Sequence, residues 1–108
     1  RTDSQQPGDF ILHVSESADH GLMTLEGSNI NVGGNILPST DNSTDLGSSS
    51  KRFANIFSAD LQLSNENTQG NEVDGTTGNW TIQEGNDDLF IINRKTGKKY
   101  KFLLEEVK

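Results

Sequence analysis

Hydrophobic positions come in short runs separated by polar and glycine-rich stretches. Residues 9–14 (DFILHV) form a compact apolar run that predicts a strand. Across 21–37 (GLMTLEGSNINVGGNIL), Leu25, Ile30, Val32 and Ile36 alternate loosely with small or polar residues. Gly27, Gly33 and Gly34 break that stretch into very short strands. Such a pattern suits narrow β layers stacked along an axis and does not suit a wide sheet. Residues 38–50 (PSTDNSTDLGSSS) read as turn and cap material.

In the run that follows, Phe53, Ile56 and Phe57 fall at i, i+3 and i+4, which predicts a helix of about two turns. Ser48 or Ser49 is its candidate N-cap, and Leu46 is placed to staple against the first turn. A helix that short needs a docking surface for its apolar face. Leu61 and Leu63 alternate and predict a strand on its far side. Residues 64–79 hold a single apolar residue, Val73, and read as a surface loop. WTIQE, LFIIN and KYKFLL then predict a three-stranded antiparallel meander, with GNDD and RKTGKK as its turns. Trp80 is its expected buried anchor.

The chain is therefore expected to be mainly β with one short α-helix. Narrow β layers are expected over residues 9–63, a surface loop over 64–79 and a small antiparallel β-meander over 80–108. Residues 1–8 carry no apolar side chain and read as disordered or linker, at the start of a fragment of a longer chain that shows no signal peptide.

Composition sharpens this picture. The 108 residues are only 30% hydrophobic. Leu, Ile, Val and Phe still make up 24%, above the level of roughly 20% at which disorder becomes the default. A small domain buries only about two-thirds of its surface, so a chain this poor in apolar residues is expected to borrow core from other copies of itself. The net charge of −7 repels phosphate backbones and argues against a nucleic-acid partner. There is no cysteine, and no apolar run is long enough for membrane insertion.

Candidate chemistry is thin. Asp41 to Arg52 has the length of a calcium loop, but Leu46 stands where glycine is required and Arg52 where glutamate is required. His13 and His20 are the two histidines and read as plain strand or loop residues. Asp87/Asp88 and Glu105/Glu106 are sequence neighbours, which on a strand point to opposite faces and do not share a catalytic site. Ser48, Ser49 and Ser50 beside Lys51 lack the oriented base that a nucleophile needs. Arg94, Lys95, Lys98, Lys99 and Lys101 read as a solvated hairpin, with a phosphate patch as the weaker option; in a trimer they could pair with an acidic neighbour and fix register. No catalytic residue, metal ligand or cofactor is expected, and the chain is not read as an enzyme.

The stretch DNSTDLGSSSKRFANIFSADLQL resembles a layer found near the ends of trimeric bacteriophage tail fibres and tailspikes. The segment NEVDGTTGNWTIQEGNDDLFIINRKTGKKYKF is similar to the C-terminal part of virion structural proteins of phages infecting marine bacteria. The two stretches together cover 55 residues. The resemblance implies a homotrimer of parallel chains in a virion appendage, intertwined in fibre layers over residues 9–63, with a host-cell receptor or glycan as candidate partner. Some such fibres end in a self-cleaving chaperone with a Ser–Asp junction. Here Ala59 follows Ser58, and that cleavage is not expected.

On this reading Leu25, Ile30, Val32, Ile36, Leu46, Phe53, Ile56, Phe57, Leu61 and Leu63 form the core between chains. Asn65, Asn67, Asn71, Asp74 and Trp80 are the candidates for surface recognition. The alternative is a monomeric β-sandwich carbohydrate-binding module, which solution mass separates from a trimer.

Overall fold

The computed structural model describes residues 26–108. The chain divides into two units, Arg1–Asp45 and Leu46–Lys108. In the first unit the very short strands expected over 21–37 are absent from its described part: residues 26–45 contain neither helix nor strand, because the glycine breaks leave too few consecutive residues to pair, and Ile30, Val32 and Ile36 are exposed. The expected strand over 9–14, together with Leu25, His13 and His20, lies outside the described residues.

The second unit is one antiparallel sheet of four strands. They are β1 (Asp60–Ser64), β2 (Asn79–Glu84), β3 (Leu89–Asn93) and β4 (Lys99–Lys101), in the spatial order β1-β2-β3-β4. The expected meander is present as β2–β4. Its turns close where the sequence put glycine and asparagine. Gly85 N–H donates to the Asp88 carbonyl at 2.8 Å, and Gly97, at φ +79°, donates to the Asn93 carbonyl at 2.7 Å. The Asn93 side chain accepts from the N–H groups of Lys95 and Thr96, which pins that turn.

Two further expectations need correction. The described residues contain no helix, so the segment carrying Phe53, Ile56 and Phe57 is irregular. The reason is local. Ser48 Oγ does accept from Lys51 N–H at 3.0 Å, as a cap would, but Ser48 N–H also donates to the Lys51 carbonyl at 3.0 Å. That bond closes a tight turn and takes the carbonyl that a helix would offer to Asn55. Asn55 and Ile56 add little helix propensity, and a two-turn helix nucleates poorly in any case. The second correction concerns Leu61 and Leu63. Rather than lying across a helix, they sit on β1 opposite Ile82 and Trp80 of β2.

Strand alternation and register sort the side chains into two faces. Leu61, Leu63, Trp80, Ile82, Leu89, Ile91 and Tyr100 share one face. Gln62, Thr81, Gln83, Phe90, Ile92, Lys99 and Lys101 share the other. The first face also carries Glu84 and Asn93; it is mainly apolar yet only part-covered, with Leu61 52% and Leu63 46% exposed. The two most buried side chains, Thr81 at 0% and Ile92 at 7%, lie on the mixed face.

Candidate recognition surface

The connection between β1 and β2 is a fourteen-residue loop, and it folds on its own polar side chains. At its base Asn65 N–H donates to the Gly78 carbonyl at 3.3 Å, while Gly78 N–H donates to Asn65 Oδ1 at 2.7 Å. Asn65 Nδ2 reaches across to the Thr76 carbonyl at 3.2 Å. Within this frame Asn71 organises the tip. Its Oδ1 accepts from Val73 N–H at 2.7 Å and Asp74 N–H at 2.9 Å, an Asx turn. Its Nδ2 donates to Asp74 Oδ1 at 2.8 Å and to the Thr76 carbonyl at 2.9 Å. Gly70, at φ +98°, lets the two arms of the loop touch, since a Cβ there would collide with the Gly75 carbonyl.

Asp74 is the electrostatic centre of the loop. The Asn71 side-chain amide, then the N–H and hydroxyl of Thr76, hold its carboxyl below the ordinary carboxylate pKa. A depressed pKa contributes order above the ordinary value of 3.8, and this order drains away as pH falls through the folded pKa. The amide signals of Asn71 and Thr76 are therefore expected to stay constant from about pH 8 to about pH 5 and to broaden below about pH 4. In an Asp74→Ala chain the loop signals should already be perturbed at neutral pH. Loop signals that Asp74→Ala leaves unchanged at neutral pH would rule out this role for Asp74.

The loop and sheet together frame a depression of about 380 Å³, lined by Leu63, Asn65, Asn71, Thr76, Gly78 and Trp80 among others. The indole of Trp80 is half-buried. It tilts against Tyr100 with ring centroids 5.9 Å apart and planes at 38°. Gly78 is small for the sake of this ring, because a Cβ there would stand 3.0 Å from Trp80 Nε1. Lys95 ties the loop to the β3–β4 turn. Its Nζ donates to the Thr77 carbonyl and hydroxyl, both at 3.2 Å, and lies 4.0 Å from Glu66 Oε2.

The sequence candidates thus separate. Asn65, Asn71 and Trp80 line one depression, but both asparagine side chains are engaged with the loop's own backbone. Asp74 is turned into the loop, and Asn67, at φ +64°, serves a tight bend. Of the ten residues expected between chains, nine are described, and all nine are exposed in the single chain. Leu61 and Leu63 share a face with Trp80 and Ile82, while Leu46, Phe53, Ile56 and Phe57 lie on the irregular segment before β1.

Sequence reasoning missed a polar triad on the opposite face. Thr81 Oγ1 donates to Gln62 Oε1 at 2.6 Å and accepts from Arg94 Nε at 3.0 Å. Only the cross-strand register could have revealed it. Among the described residues no group of three or more His, Asp or Glu side chains converges. No family model, curated protein or solved structure matches the chain.

Proposed function

We propose that the chain is a structural segment of a bacteriophage tail fibre or related virion appendage, which assembles as a homotrimer and presents the 65–78 loop at its surface. The observation that supports this reading is the uncovered apolar surface. A free sheet exposing Leu61, Leu63, Leu89 and Tyr100 on one face, preceded by exposed Leu46, Phe53, Ile56 and Phe57, leaves a large apolar area in water. Each Å² removed from water is worth about 25 cal/mol, and three copies around an axis can bury such faces against one another. Closure also protects the β1 edge, which otherwise offers its backbone to any strand. The described sheet has one buried apolar side chain, Ile92, as expected of a unit that completes its core with neighbours.

Two measurements test the proposal. Light scattering should give about three times the 11.8 kDa of one chain. Antibodies raised against the chain should decorate an appendage of purified virions. A single-chain mass overturns the trimer, and unlabelled virions overturn the location.

A further inference from the structure

The mixed face of the sheet carries a second, larger depression of about 550 Å³, lined by Gln83, Phe90, Ile92, Arg94, Lys99 and Lys101. Its floor is apolar, because Phe90 and Ile92 lie opposite Lys101 and Lys99 in the β3–β4 register. Its rim is cationic. Arg94 is fixed through Nε by Thr81, which leaves its terminal N–H groups directed elsewhere. Among the described residues the ion pairs are Lys95–Glu66 and Lys108–Glu106, so Arg94, Lys99 and Lys101 have no carboxylate within ion-pair distance. Arg94 and Lys99 thus stand over the apolar floor without a counter-charge among the described residues, and Lys101 borders both this cleft and the carboxylates beside the C-terminal segment.

The same chain carries the complementary shape. After Phe102, whose N–H donates to the Leu89 carbonyl at 2.9 Å, the C-terminal segment leaves the sheet. Leu103 is 93%, Leu104 73% and Val107 95% exposed. The segment runs beside Asp87, Asp88 and Lys101. In an extended segment Leu103, Glu105 and Val107 share one side and span about 13 Å. Phe90 and Arg94 are also four residues apart. An apolar–acidic–apolar triplet therefore matches the apolar floor and cationic rim in both chemistry and length. Its own cleft lies behind it, since the chain leaves β4 heading toward the β2–β3 turn.

We infer that this cleft receives the C-terminal segment of a second copy of the chain, with Glu105 meeting Arg94, Lys99 and Lys101 while Leu103 and Val107 cover Phe90 and Ile92. Each copy gives one segment and takes one, a head-to-tail contact that closes into a ring of three. The inference rests on the trimer proposed above and adds a clasp on the face away from the apolar core.

Charge exchange tests it, read by sedimentation over a dilution series. Glu105→Lys, or truncation after Phe102, should raise the concentration at which the wild-type assembly dissociates by about tenfold or more. Lys99→Glu/Lys101→Glu should do the same. Combining the reversed cleft with Glu105→Lys should recover much of the loss. In a mixture of isotopically light and heavy chains, a zero-length carbodiimide cross-linker should join Glu105 to Lys99 or Lys101 in light–heavy pairs. Far-UV circular dichroism confirms that each variant keeps its sheet; the truncation removes only exposed residues and serves if a charge variant does not fold. A trimer indifferent to the truncation, or cross-links found only within one chain, overturns the clasp and leaves the trimer standing. A wild-type chain that sediments as a monomer overturns both.

Discussion

A chain carrying Leu61→Glu and Leu63→Glu is expected to sediment as a single polypeptide of 11.8 kDa under conditions where the wild type forms the proposed trimer. Both leucines lie on the edge strand β1, opposite Ile82 and Trp80, and both are about half exposed in the single chain. Completing their burial in an assembly contributes on the order of 1 kcal/mol each, half of a full leucine burial. A trimer holds six of them, so on the order of 6 kcal/mol of association is lost, more than 10⁴-fold in affinity. Six carboxylates forced into an apolar interface add their own desolvation cost. Within one chain the change is mild. The β1–β2 ladder is made of backbone, Gln62 still faces Thr81, and both new side chains reach water. Trp80 fluorescence and far-UV circular dichroism should thus report a retained sheet at the lower mass. A variant that keeps the wild-type mass shows that this face is not where copies meet.

How much of this was legible in the sequence depends on the range of the interaction concerned. The three C-terminal strands follow from alternation in WTIQE and in part in KYKF, from the apolar run LFIIN and from turns that need Gly and Asn, all set within a few residues. The alternation at Leu61 and Leu63 likewise marked a strand, but its partner lies beyond a fourteen-residue loop. That pairing depends on Asn65 and Gly78 clamping the loop base, a long-range event that no local pattern records.

The helix failed for the converse reason. Phe53, Ile56 and Phe57 have helical spacing, yet Ser48 and Lys51 bond reciprocally and spend the first turn before it can propagate. Spacing alone does not report that competition. The recognition candidates show a third limit. Asparagines in a polar loop look available for ligands, whereas Asn65 and Asn71 bind the loop's own backbone. Burial was misjudged in the same way. Trp80 was the expected buried anchor, but in the single chain it is only half-covered, while Thr81 is fully buried beneath Gln62 and Arg94.

That buried threonine carries the second large effect. Thr81→Val keeps the shape, the branched Cβ and the strand preference, and removes only the hydroxyl. The hydroxyl serves two partners at once, donating to Gln62 Oε1 at 2.6 Å and accepting from Arg94 Nε at 3.0 Å. It thereby ties β1, β2 and the residue after β3 across the sheet. A neutral hydrogen bond contributes about 0.5–1.5 kcal/mol net and one to a charged group about 1.5–3 kcal/mol. Gln62 and Arg94 are exposed enough to turn partly to water, which recovers some of this. The expected loss is about 2 kcal/mol, a fall in melting temperature of roughly 10 °C for a domain of this size. Thr81→Ser keeps both bonds and loses one methyl, which costs about 1 kcal/mol. Thermal melts followed by Trp80 fluorescence should therefore place the variants in the order wild type, Ser, Val. If valine instead melts at or above the wild type, the triad is not what holds these strands together, and packing around Ile92 carries the sheet.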